Sequence, residues 1–307
     1  MKTHLFSKIL GFSFLFFILS CQNSDDLTAE SKNQSNKESN NQSSKALAPC
    51  GPLYALVLNT GGSGTPVVSA ESFIFKVDLF TSPVSYGFVS QIKVGAIPLK
   101  SVTGICDLPG DPDNLYATTG QNSNFPKRLY KVKIATGQAT FVCNTTDFLQ
   151  DIEMVTPTYF VAVKEATSQL MKVDIPSGIC TAISPVGPLP QYNGLTLVGS
   201  KLHAISGNTS VICSSSMIGD IFEYNLGGGN YVGKYSYKAP TGVYTMNELG
   251  FYFDNCCGKN WVVGSAQGII SNNLNITPCT LPTATFLLNA ATTGQNYWNI
   301  YDFAEKL

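Results

Sequence analysis

Beyond about residue 50, apolar and polar residues alternate in short runs, and no stretch keeps the 3.6-residue spacing of a long helix. One such run recurs as Ile74–Leu79, Leu129–Ile134, Leu170–Ile175 and Ile221–Leu226, with a weaker copy at Ile269–Leu274. In the first four, the second, fourth and sixth positions are apolar and the third and fifth are mostly polar, as in Leu129-Tyr130-Lys131-Val132-Lys133-Ile134. That is the signature of a strand with one buried face. Turn residues follow at Thr136-Gly137, Ser177-Gly178 and Gly227-Gly228-Gly229, so each run is expected to lead into a hairpin.

A second short strand precedes each copy: Leu53–Leu56, Leu115–Thr118, Tyr159–Ala162, Leu202–Ile205 and Trp261–Gly264. Earlier still stands an acid or glycine followed by an apolar residue, at Gly104-Ile105, Asp151-Ile152, Gly194-Leu195, Glu248-Leu249 and Asp302-Phe303. With a further strand after the hairpin, such as Thr140-Phe141-Val142, each unit holds four antiparallel strands. Repeats of roughly 40 to 55 residues with four strands predict an all-β fold, a β-propeller of five four-stranded blades over residues 49–307. The repeat is out of phase with the chain, which enters at a second strand (Leu53) and reaches a first strand at Trp298–Ala304. The C-terminal strand is therefore expected to complete the first blade and close the ring. Short alternating strands also fit a β-sandwich or a β-helix, the competing architectures.

The repeats resemble those of propellers in extracytoplasmic bacterial proteins, in which an L-Y-x-V-D strand precedes a T-G turn. Leu129–Gly137 and Leu170–Gly178 match best, and blade five departs, with Asn272 in place of a buried valine.

The N-terminus gives an address. Lys2 and Lys8 precede an apolar run, Ile9–Leu19, that is shorter than the roughly 20 residues needed to span a bilayer. The sequence Ile18-Leu19-Ser20-Cys21 that follows resembles the lipobox of bacterial lipoproteins. The resemblance implies a signal peptide at 1–20, cleavage before Cys21 and a lipid anchor on its thiol. Asp25-Asp26 is similar to the acidic signal that sends some such lipoproteins to the surface of the outer membrane; the same pair also suits the start of a solvated linker. Ser24–Lys45 is so poor in apolar residues that a disordered tether is expected, within 21–48.

Charged residues make up 13% of the chain and the net charge is −1, with no basic cluster, so nucleic-acid capture is not expected. With Cys21 lipidated, eight of nine cysteines remain, an even number that permits disulfides. Adjacent Cys256 and Cys257 do not readily bond each other, and Cys213 and Cys279 are their nearest candidate partners. No Cys-x-x-Cys pair occurs and the histidines are His4 and His203 alone, so no zinc site and no cofactor are expected.

Candidate chemistry is sparse. First strands line a propeller's channel, so Asp151, Glu248 and Asp302, with Glu153 beside the first, are the candidate catalytic carboxylates; five-bladed glycosidases hold paired carboxylates near such an axis. The competing role is to satisfy backbone amides at a strand start, which also suits the two glycine copies. Asp107, Asp111 and Asp113 offer oxygen ligands for calcium in a loop whose two prolines also suit a rigid turn. His203 reads as a packed residue. Aromatic residues toward the C-terminus (Tyr231, Tyr235, Tyr237, Tyr244, Tyr252, Tyr297 and Trp298) are candidates for contact with a glycan or protein ligand. The expected function is a membrane-anchored binding module; the alternatives are a carbohydrate hydrolase and a structural partner in an envelope assembly.

Overall fold

The computed structural model describes residues 53–59, 70–78, 85–184, 192–198, 201–206, 219–226, 232–237, 249–254, 259–264, 268–272, 285–288 and 298–305, all within Ala46–Leu307. Residues 1–48, where a signal peptide, the lipidated Cys21 and a tether are expected from the sequence, lie outside them. Among the described residues every regular element is a strand.

The strands form five four-stranded antiparallel sheets. The first joins β1 (Leu53–Asn59), β2 (Glu71–Asp78) and β3 (Ser85–Gln91) to β22 (Trp298–Glu305), in the order β22-β1-β2-β3. A two-stranded hairpin, β4 (Lys93–Val94) and β5 (Ile97–Pro98), follows. The second sheet contains β6 (Val102–Asp107), β7 (Asn114–Thr119), β8 (Arg128–Lys133) and β9 (Ala139–Asn144). The third contains β10 (Leu149–Thr156), β11 (Tyr159–Lys164), β12 (Leu170–Asp174) and β13 (Cys180–Ala182). The fourth is β14 (Tyr192–Val198), β15 (Lys201–Ser206), β16 (Gly219–Asn225) and β17 (Val232–Tyr237). The fifth is β18 (Leu249–Asp254), β19 (Lys259–Gly264), β20 (Gly268–Asn272) and β21 (Thr285–Leu288).

The first strands pack against one another in a cycle, β6 on β10, β10 on β14, β14 on β18, β18 on β22 and β22 back on β6. This is an all-β propeller arrangement. The last strand pairs antiparallel with β1, Leu53 opposite Glu305 and Asn59 opposite Trp298, so the N-terminal edge is covered by chain from the other end.

Each sheet sits between two others, and this modifies the one-buried-face expectation. On β11, Phe160 and Ala162 pack toward the second sheet while Val161 and Val163 pack toward the fourth, and all four are fully buried. Second strands are thus apolar on both faces, whereas Lys131 and Lys133 on β8 keep the polar alternation. The largest wholly enclosed side chains are Tyr130, Phe75 and Phe160, and each such ring stabilises the fold by roughly 2–3 kcal/mol through burial alone.

The turn glycines join neighbouring sheets. Gly137 has φ +67, and a Cβ there would lie 1.8 Å from the Gln91 carbonyl oxygen of the first sheet. Its own carbonyl accepts the Lys93 N–H at 2.9 Å. Gly178 repeats the contact one sheet later, with φ +72, a Cβ position 1.8 Å from the Asn144 oxygen, and the Thr146 N–H donated to its carbonyl at 3.1 Å. Only a residue without a side chain fits both the left-handed backbone and the close approach.

Candidate functional site

The acid-or-glycine position of the repeat lies on the first strands, beside a β-bulge in β6, β10 and β14. Register shifts occur there between Val102 and Gly104, Gln150 and Ile152, and Tyr192 and Gly194. Asp151 is itself the extra residue of its bulge, with φ +47. A bulge re-aims one side chain out of the pleat, and here it turns the carboxylate toward the backbone.

Asp302 on β22 accepts the Phe303 N–H through Oδ1 and the Ile105 N–H of β6 through Oδ2, both at 2.7 Å. Asp151 on β10 accepts the Ile152 N–H through Oδ1 at 2.7 Å and the Leu195 N–H of β14 through Oδ2. Each acid therefore holds its own strand and reaches the amide that follows the glycine of the next strand. Between the two, β6 contributes Gly104, where a Cβ would stand 2.7 Å from Asp151 Cα. That bare position lets β6 lie against β10, and the Asp151 and Asp302 carboxyls hydrogen-bond each other.

Both acids are 1% exposed. Burial is the main cause that pushes Asp151 up to about 7, against the lowering effect of its hydrogen bonds from Asp302, Leu195 and Ile152. Asp302 is raised well above the ordinary carboxylate range, first by burial and then by the neighbouring Asp151 charge. Nearby, burial and then the charges of Glu153, Asp302, Asp107 and Asp151 push the Cys106 thiol well up.

The other sequence candidates are scattered. Glu153 lies on β10 opposite Val161 and is partly buried. Glu248 lies outside the described residues. In the loop suggested for calcium, the Asp111 carboxylate faces Lys131 Nζ at 2.5 Å and Asn114 Nδ2 at 2.8 Å, which hold it down at about 2. Asp107 and Asp113 flank it, and among the described residues no group of three or more metal-binding side chains converges. His203, 8% exposed, places Nε2 3.6 Å from Glu223, whose carboxylate also meets Lys201 at 2.9 Å. Cys213, Cys256, Cys257 and Cys279 are outside the described residues, as are Tyr231, Tyr244 and Tyr297. For Tyr235, Tyr237, Tyr252 and Trp298 only the strand positions are described.

Two exposed aromatics are absent from the sequence-based candidates. Phe88 and Phe141 occupy the same place on β3 and β9, opposite Phe75 and Tyr130, and are 59% and 49% exposed. Each ring meets its partner edge-on, at 5.7 and 6.3 Å. The Arg128 guanidinium stacks on Phe125 at 5.1 Å and on Phe141 at 5.6 Å, building a half-open aromatic and cationic patch. Aligning the fourth strands of the units with one another would have revealed the recurrence.

The sequence matches no protein-family profile and no curated protein. Among solved structures, a chain of a nidogen/laminin complex is similar with a TM-score of 0.51 at 11% identity, over 83% of this chain and 98% of that one. A structural-genomics protein of unknown function from Bacteroides thetaiotaomicron is similar at a TM-score of 0.44 and 10% identity, over 61% of this chain and 44% of that one. The first likeness agrees with the propeller fold.

Proposed function

We propose that the chain is a lipoprotein anchored in the outer membrane through Cys21, whose five-bladed propeller serves as a surface-exposed binding module for a glycan or protein. The observation that carries the binding assignment is the state of Asp151 and Asp302. A glycosidase needs two carboxyl groups about 5–9.5 Å apart with a sugar bond between them. Here the two axial carboxyls are buried, hydrogen-bonded to each other, and each occupied on both oxygens by backbone N–H groups. Such groups fasten strands, and the repeat supplies them as architecture.

Support for five blades comes from the five sheets and the cycle of first strands. The lipobox-like Ile18–Cys21 and the acidic pair Asp25-Asp26 support the anchor and the surface address. The similar nidogen/laminin chain belongs to a protein–protein complex, so protein ligands stand beside glycans. The test is a glycan and protein array probed with the full chain in detergent, with oligosaccharide hydrolysis followed in parallel. Selective binding that survives Asp151→Asn is expected; turnover of a sugar substrate abolished by that change would overturn the reading.

A further inference from the structure

The joint between the second and third sheets holds a pair of thiols. Cys143 on β9 is 5% exposed, and Cys180 at the start of β13 is partly exposed. Both sulfurs converge on the Gly178 turn. Cys180 Sγ lies 3.6 Å from the Gly178 carbonyl oxygen, and Cys143 Sγ lies 3.2 Å from the place a Gly178 Cβ would take. The adjoining joint gives the comparison, because Ser90 is opposite Ile74 as Cys143 is opposite Leu129, and Ala139 is opposite Val132 as Cys180 is opposite Val173. There, Ser90 Oγ donates to the Ile134 carbonyl across the joint at 2.6 Å. Where one joint has a Ser/Ala pair and a hydrogen bond, the next has two cysteines.

We propose that Cys143 and Cys180 form a disulfide that staples the outer edges of these two sheets and responds to the redox environment. Burial, and then the nearby Cys180, hold the Cys143 thiol above its ordinary range, which assigns the first attack to the more exposed Cys180. Its thiolate attacks a disulfide oxidant R–S–S–R, releasing one RS⁻ and leaving a mixed disulfide on Cys180. Cys143 then gives up its proton to solvent and attacks the Cys180 sulfur, expelling the second RS⁻. Two thiols lose two protons and two electrons, and the oxidant becomes two thiols. Cys106 shares the apolar cluster but sits on the inner strand β6, opposite Tyr116.

The test treats the full chain with glutathione disulfide or with dithiothreitol, alkylates free thiols, and maps peptides by mass spectrometry without reduction. The expected result is a peptide pair linking Cys143 to Cys180 after oxidation only, with a melting temperature raised by roughly 5–15 °C. Cys180→Ala, which copies Ala139 at the adjoining joint, should abolish both the link and the shift. Separate alkylation of Cys143 and Cys180 after oxidation, or a link from either to Cys106, would overturn the proposal.

Discussion

Replacing Asp302 by asparagine separates the charge of the axial pair from its shape. In the native protein burial raises both acids, Asp151 from 3.8 to about 7 and Asp302 in the same direction. The folded state thus holds protons that the unfolded chain has already released. Its stabilising contribution is complete below the unfolded carboxylate value of about 3.9 and is lost as the pH climbs through the folded value. For Asp151 alone the loss between about pH 5 and pH 8 is roughly 2–3 kcal/mol. In a domain of this size that lowers the melting temperature by roughly 5–10 °C. In Asp302→Asn the side-chain amide still offers Asp151 a donor and never ionises, but its nitrogen cannot accept a backbone N–H. One of the bonds from Ile105 and Phe303 is therefore lost, at about 1–3 kcal/mol. Asp151 titrates in both proteins, so the gap between them moves with Asp302: Asp302→Asn should melt below the native protein at pH 5, and the gap should close or reverse by pH 8 as native Asp302 loses its own proton-linked stability. Thermal unfolding across this range by circular dichroism reads both curves. Parallel profiles, or a native protein equally stable at both ends, would refute the reasoning.

Three further outcomes follow from the glycines, and a fourth from the N-terminus. Gly178→Ala places a Cβ 1.8 Å from the Asn144 oxygen at φ +72 and should cost roughly 2–4 kcal/mol in urea titrations. Gly110→Ala, at φ +78 with nothing within 4 Å, meets only backbone strain and should cost about 1 kcal/mol in the same titrations. Gly104→Ala drives a Cβ against the Asp151 backbone at 2.7 Å, so β6 must part from β10 and amide exchange at Ile105 should accelerate. If Cys21 carries the proposed lipid anchor, Cys21→Ser should move the cell-derived full chain from the detergent phase to the aqueous phase in detergent partitioning, since acyl chains supply about 0.8 kcal/mol per buried methylene; an unchanged partition would contradict the anchor.

The strands are legible because each carries a local pattern. The alternation over Leu129–Ile134 corresponds to the strand Arg128–Lys133, and that over Leu170–Ile175 to Leu170–Asp174. The Gly or Asp before an apolar residue is legible as a recurring mark, which leaves both its roles, amide acceptor and catalytic acid, open. What local sequence does not specify is the partner. Asp302 accepts the amide of Ile105 across 197 positions, and no local signal encodes that separation. The Thr-Gly and Ser-Gly turns are visible as punctuation, yet their tight contacts with Gln91 and Asn144 depend on the neighbouring sheet. Phe88 and Phe141 are hidden because the outer strands vary more than the hexads. The small β4–β5 hairpin has too few residues to show a period.

Ring closure by the last strand is tested most directly by hydrogen exchange resolved to peptides covering Leu53–Asn59 and Trp298–Glu305. If β22 completes the first sheet and Asp302 fastens it to Ile105, both peptides should exchange slowly and be released together at the free energy of global unfolding. Rapid exchange of Trp298–Glu305 while Leu53–Asn59 stays protected would contradict it.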